Sequence, residues 1–147
     1  MREILFRGKA ANREEGRVYR TNYKNGDWVY GLLTDSENYD GFAEMTNTNG
    51  VSGIEVDKET LGQFIGLTDK NGSKIFEGDI IDASNEWWDA AGYAGHDSPI
   101  ILVCWNDGEC GYAPFSTYDS DCGVVINASR CEIIGNIYDN PDIEWKF

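Results

Sequence analysis

The sequence predicts a mainly β, hairpin-rich fold with little helix, and three observations carry the prediction. Aromatic residues make up 13% of the 147-residue chain and accompany 17 glycines. Rings suit a pleated surface, and glycine supplies the positive φ of tight turns. Two Asn-Gly pairs, Asn25-Gly26 and Asn71-Gly72, are each flanked by strand-like runs. Short apolar runs, such as residues 100–105 and 123–127, are bounded by turn residues. The length fits one domain, residues 1–147, large enough to bury a core without staples, with 84–99 as a long loop or insertion.

The first hairpin is read around Asn25-Gly26, a pair suited to a two-residue type I′ turn. In that register Lys24 faces Asp27, Tyr23 faces Trp28, Thr21 faces Tyr30 and Tyr19 faces Leu32, so the ring-bearing pairs share one side. The second hairpin joins residues 63–68 to 73–77. A two-residue turn at Asn71-Gly72 pairs Asp69 with Lys74 and Leu67 with Phe76; a four-residue turn shifts that register. Gly78-Asp79 then makes a corner in which the carboxylate bonds nearby backbone N–H groups, and Ile80-Ile81 starts another strand. A hairpin followed by such a corner is a feature of small SH3-like barrels, so the domain is expected to be barrel-like; this comparison concerns fold alone.

Further strands are expected at 2–7, 100–105, 112–118, 123–127 and 131–138, with a bulge at Gly135-Asn136. A short helix is expected near 57–61 with Asp57 as its N-cap. Residues 35–53 and 84–99, rich in Asn, Asp, Ser and Gly, read as loops. Phe64, Leu67, Phe76, Ile80 and Ile137 are the expected core positions.

The formal net charge of −14 is unevenly spread. Residues 1–24 hold seven basic and three acidic residues, a net of +4, whereas 25–147 hold five basic and 23 acidic, a net of −18. An acidic body disfavours nucleic acid, because phosphate binding depends on Lys and Arg displacing counterions. The basic N-terminal stretch is the one segment whose charge favours it. No apolar run is long enough to span a bilayer and the N-terminus lacks a signal-peptide core, so a cytoplasmic protein is expected.

Few residues suggest chemistry. Cys104, Cys110, Cys122 and Cys131 include no CxxC pair, so the spacing supports no zinc site. His96, the single histidine, lies beside Asp97 in a Gly-rich stretch, an arrangement that suits a solvated loop better than a catalytic pair. Carboxylate pairs such as Glu55/Asp57, Glu77/Asp79, Asp107/Glu109 and Asp119/Asp121 could share a strand face, but 26 acidic residues produce such pairs by chance. There is no GxSxG, GxxxxGK[ST] or GxGxxG. No cofactor or metal is expected. Trp87 and Trp88, with Tyr93 and His96, form the most unusual stretch: aromatics in acidic, Gly-rich sequence fit an interaction surface about as well as rings folded back onto a core.

Residues 61–81, LGQFIGLTDKNGSKIFEGDII, and 131–141, CEIIGNIYDNP, resemble the YopX family, known mostly from phages and prophages. Arg2–Lys9 and Asn25–Gly31 are similar to it as well. Ile65 departs from the family pattern, which usually has Thr there. The resemblance implies a mostly β domain of phage or prophage origin and brings no activity or catalytic residues. The leading expectation is a non-enzymatic accessory protein that binds another protein, including copies of itself, through 84–96 or the basic N-terminal stretch. The alternatives are an acidic decoy of nucleic acid that inhibits a host protein and, more weakly, a carboxylate- or metal-dependent enzyme.

Overall fold

In a computed structural model, residues 3–11, 23–35, 41–83, 100–106, 111–113 and 128–144 are described. The strands are β1 (Phe6–Ala10), β2 (Trp28–Asp35), β3 (Phe42–Asn47), β4 (Ile54–Thr68), β5 (Lys74–Phe76), β6 (Asp79–Asp82), β7 (Ile100–Leu102), β8 (Cys104–Asn106), β9 (Gly111–Ala113) and β10 (Glu132–Asn136). Their pairings with an assigned register are all antiparallel. Helix is represented by the 3-10 turn Ala128–Arg130. The mainly β prediction is therefore correct. The chain groups into two compact units, residues 1–64 and 65–147.

In the first unit the pairings close on themselves: β1 with β2, β2 with β3, β3 with β4 and β4 with β1. Alternation along each strand sends Ala10, Val29, Ala43, Met45, Ile54 and Val56 into one buried cluster. Gly31 is required where β2 passes β3, since a Cβ there would collide with the carbonyl oxygen of Thr46. The Asn25-Gly26 turn forms as expected: the Asp27 N–H donates to the Lys24 carbonyl at 3.0 Å, and an Asp27 carboxylate oxygen accepts the Lys24 N–H at 2.9 Å.

The partner of β2 differs from expectation. Tyr30 pairs with Arg7 and Leu32 with Thr46; the expected partners, Thr21 and Tyr19, fall in the segment that is not described. The turn chemistry located the reversal, but β1 and β3 occupy the two edges of β2. Residues 19–22 lie outside the described residues. Likewise β1 starts at Phe6, later than the expected strand at 2–7.

Two other expectations for this unit are corrected. No helix forms at 57–61, where β4 runs through. The Asx chemistry that suggested a cap is present, with an Asp57 carboxylate oxygen accepting the Glu59 N–H at 3.0 Å. It makes a bulge instead: between Arg7 and Lys9 the register on β4 jumps from Gly62 to Asp57. Residues 35–53 are also not a continuous loop, since they hold β3 and a tight turn at 47–51.

In the second unit β6 lies between β10 and β7, β5 pairs with β4, and β8 pairs with β9. Ile65, Ile75, Ile81, Ala83, Ile101, Val103, Ala128 and Cys131 form its core. The corner is as predicted: the Asp79 carboxylate, 2% exposed, accepts the Phe76 N–H at 2.8 Å. The bulge also appears, as a register shift between Ile133 and Gly135. Among the described residues the sheet around the corner has the three-stranded order β10-β6-β7, and the strand pairing that closes on itself is that of the first unit. Residues 84–99, 114–118 and 123–127 lie outside the described residues.

The second hairpin closes through a three-residue loop, neither two nor four. The Asp69 N–H donates to the Ser73 carbonyl at 2.9 Å, and the Gly72 N–H to the Asp69 carbonyl at 3.0 Å. Gly72 is left-handed, with φ of 80°. Asp69 thus faces Ser73 rather than Lys74. Phe64, Phe76 and Ile80 are buried as expected, but Leu67 is 39% exposed and Ile137 only half-buried. Leu67 lies in the exposed run next to the loop, and Ile137 follows β10 in a turn, donating its N–H to the Gly78 carbonyl.

The 47–51 turn repeats the 69–73 turn bond for bond. The Asn47 N–H donates to the Val51 carbonyl and the Gly50 N–H to the Asn47 carbonyl. Asn47 Oδ1 accepts the N–H groups of Asn49 and Val51. Asp69 Oδ1 does the same for Asn71 and Ser73. The second side-chain atom differs: Asp69 Oδ2 accepts the Ile133 N–H at 3.1 Å, while Asn47 Nδ2 donates to the Tyr23 hydroxyl at 3.2 Å.

Two stability outcomes follow. Phe76→Ala should cost about 2–5 kcal/mol, read as a lower urea midpoint; a variant as stable as the parent would contradict the packing. Asp69→Asn sets an amide against the Ile133 N–H and should cost about 1–3 kcal/mol. Asn47→Asp should cost less, because a tyrosine hydroxyl can turn its proton toward a carboxylate. Equal urea midpoints for the Asp69→Asn and Asn47→Asp variants would refute this asymmetry.

Candidate functional site

Trp87, Trp88, Tyr93 and His96, the residues singled out as an interaction surface, lie outside the described residues. Among the described ones, the outer face of the first unit carries the most distinctive side chains. Trp28, Tyr30 and Leu32 alternate onto one face of β2, opposite the face that buries Val29. Lys9 is paired across from Trp28, and Arg7 from Tyr30. The Arg7 guanidinium carbon lies 4.6 Å from the centroid of the Trp28 ring and the Lys9 ammonium 5.3 Å from it, both in cation–π range. Tyr30 is 40% exposed and Leu32 53%.

This arrangement changes the reading of the N-terminal charge. Arg7 is 6% exposed, its stem and head covered at the Trp28 edge of β1, so it is not part of an open basic surface. Sequence reasoning placed the ring-bearing residues on one side of β2 but treated the cations as a free charged stretch. The missing step was the non-local β1–β2 register, which stacks residues about twenty positions apart.

The same register row continues onto β4 and β3, where Lys9 pairs with Asp57 and Asp57 with Phe42. Beside it opens a cleft of about 490 Å³ lined by Lys9, Asn25, Gly26, Phe42, Asp57 and Glu59, among others. The lining offers one ammonium, two carboxylates, a carboxamide and one ring, a mixture suited to polar side chains of a partner rather than to a buried apolar ligand.

Of the carboxylate pairs that the sequence offers as acid–base or metal groups, Asp57 and Asp79 each accept a backbone N–H, while Asp107, Glu109, Asp119 and Asp121 lie outside the described residues. Asp27 and Asp69 accept backbone N–H groups as well. Among the described residues, no three His, Cys, Asp or Glu side chains gather in a way that could hold a metal ion.

Two cysteines are described, both as free thiols: Cys131 buried in the second core and Cys104 half-buried on β8. Burial pushes the Cys104 thiol above its ordinary range, and the Glu77 carboxylate pushes it further the same way. The thiolate is thereby disfavoured at neutral pH, the opposite of an activated nucleophile.

The segments that carried the family resemblance come together in the second unit. β6 pairs with β10 from Asp79–Asn136 to Asp82–Glu132. The Lys70 N–H donates to the Cys131 carbonyl, and the Lys70 ammonium lies 3.1 Å from Glu132. The Gly78 N–H donates to the Val103 carbonyl, and its own carbonyl accepts the Ile137 N–H. At Gly78, with φ of 90°, a Cβ would lie 3.0 Å from the Tyr138 ring. Asn136 Oδ1 accepts the N–H groups of Tyr138 and Asp139, and Asn140 Oδ1 that of Asn136. These residues build turns and junctions.

A family model described as YopX protein matches residues 12–143. Among solved structures the chain is similar to the crystal structure of protein EF1440 from Enterococcus faecalis, at 23% identity over 97% of this chain and 98% of that one, with a TM-score of 0.45. Curated proteins give no match.

The position of the Cys104 thiol sets a reactivity. Alkylation by iodoacetamide at neutral pH, followed site by site by peptide mapping, should be slower at Cys104 than for a free cysteine and should accelerate as pH rises. Glu77→Gln should speed it, since one of the two causes is removed. Neutral-pH labelling as fast as that of free cysteine would overturn the assignment.

Proposed function

The chain belongs to the YopX protein family, and we propose from that premise that it is a phage or prophage accessory protein that acts by binding another protein. The proposal includes no catalytic step and places the protein in the host cytoplasm. Among the described residues no helix is long and apolar enough to cross a membrane.

The observation that carries this reading is the outer face of β2, where Trp28, Tyr30 and Leu32 stand in line beside Arg7 and Lys9. Tryptophan, tyrosine and arginine dominate the energetics of protein interfaces, because they bury large areas and still offer polar ends. Lys9, held against the Trp28 ring, is also pre-ordered, which lowers the entropy lost when a partner docks, while the covered Arg7 backs the ring from within. The decoy reading draws less support from the described carboxylates. Four of them turn toward their own backbone instead of forming an evenly spaced outward row. Self-association is a special case of the same proposal, with the −18 body of one copy available to the basic end of another.

The test compares the parent with a Tyr30→Ala/Leu32→Ser double variant, both positions exposed enough to be changed without opening the core. A protein captured by the parent from infected host cells, then purified, should bind the variant at least about tenfold more weakly, or about 1.4 kcal/mol. Sedimentation equilibrium in moderate salt covers the self-association case. A partner bound equally by both proteins would reject this face.

A further inference from the structure

We infer that the cleft of the first unit receives a guanidinium, the side chain of an arginine on the protein partner; this deepens the proposed binding function and rests on it. Lys9, Asn25, Phe42, Asp57 and Glu59 supply the functional side chains of the lining, and every lining residue belongs to that one unit.

The charges of the lining do not neutralise one another. Asp57 has two cross-strand neighbours, Lys9 on β1 and Phe42 on β3. Its Oδ1 accepts the Glu59 N–H at 3.0 Å, which ties the second acidic residue of the lining to the first. Among the described residues neither carboxylate forms an ion pair. The cation opposite Asp57 is engaged elsewhere: the Lys9 ammonium stands 5.3 Å from the centroid of the Trp28 ring. Its backbone N–H is likewise taken, by the Thr60 hydroxyl at 2.8 Å. Oδ2 of Asp57 and the Glu59 carboxylate are thus left as acceptors that no described cation meets.

Two carboxylates against one diverted ammonium favour a positive guest, and the −14 charge of the chain draws a basic partner in the same sense. The cleft, at about 490 Å³, has room for far more than a bare ion. No three His, Cys, Asp or Glu side chains among the described residues gather to hold a metal. The Phe42 ring then selects among organic cations. A guanidinium is planar, stacks on an aromatic face, and presents its donors as a fork that matches carboxylate oxygens. One guest can therefore meet the paired Asp57 and Glu59 with its edge and Phe42 with its face. A lysine ammonium is more strongly hydrated and offers no flat face to the ring, so it gains less by leaving water.

The experiment follows backbone amide resonances of the full-length, isotope-labelled protein by NMR. The probes are acetyl-arginine amide, acetyl-lysine amide and acetyl-citrulline amide, the last having nearly the shape of arginine without its charge. The Gly26, Phe42 and Glu59 amides should move saturably with the arginine probe, severalfold more weakly with lysine, and not with citrulline. Asp57→Asn keeps an oxygen for the Glu59 N–H, so the Asp57→Asn/Glu59→Gln double variant should lose the response with its amide pattern otherwise kept. Glu59→Gln alone, an exposed change, should weaken it severalfold. No partner protein is needed, so a failure here is read separately from a failure of the Tyr30→Ala/Leu32→Ser comparison. Silent amides at these positions would overturn the inference, as would a citrulline or lysine response equal to that of arginine, or a Glu59→Gln variant that responds like the parent.

Discussion

A carboxylate buried against backbone N–H groups is the constraint on which the second unit rests. Asp79 is almost entirely removed from water, and at the corner its carboxylate meets the Phe76 N–H. Burying that charge is costly unless donors meet it, and leaving those donors unmet is costly too. The two penalties cancel only in this arrangement. Once Asp79 holds the Phe76 N–H, Gly78 is free to bond Val103 on one side and Ile137 on the other, so β5, β7 and the end of β10 are placed by one dipeptide. Asp69 repeats the principle one turn earlier, fixing its own loop with one oxygen and β10 with the other.

The first unit solves its problem differently. Its strands close a pairing circuit, which satisfies strand edges with no buried carboxylate among the described residues and fills the inside with Val29, Met45, Ile54 and Val56. Closure brings strands close together, and Gly31 is where that demand is sharpest. Arg7, Lys9 and Trp28 meet on the outer face, and the buried Thr60 hydroxyl ties the β4 bulge to β1.

What the sequence made legible was local. The Asn25-Gly26 reversal, the Gly78-Asp79 corner and the Gly135 bulge each carry their cause within a few residues. The misses were of two kinds. β2 was given its neighbour in sequence as a partner, when the competition was won by β1 and β3 from farther away. β3 and the 47–51 turn were hidden in a polar stretch that composition assigns to loop. A signal was present there: Asn47-x-Asn49-Gly50 has the same spacing as Asp69-x-Asn71-Gly72, and the two turns share every bond. At 57–61 the Asx chemistry was recognised, but its outcome was a bulge, because Val56 and Phe64 on either side are tied to buried strand positions. The outer-face site was half legible, its rings visible by alternation and its cations misread until the register was known.

Reading each family-like residue for its structural duty narrows where function can reside. In 61–81 and 131–141 the glycines, Asp69, Asp79, Asn136 and Asn140 are accounted for by turns and junctions, and Phe64, Ile75, Phe76, Ile80 and Ile81 by burial. In Asn25–Gly31 the turn accounts for Asn25, Gly26 and Asp27, the core for Val29 and close approach for Gly31. Trp28 and Tyr30 are left pointing outward from a strand whose other face already supplies its packing. A sheet needs no aromatic ring on its solvent side, where a threonine would serve the backbone as well. Trp28 has a duty within the unit, covering the Arg7 head, and the half-exposed Tyr30 and Leu32 beside it are where the proposed docking would fall.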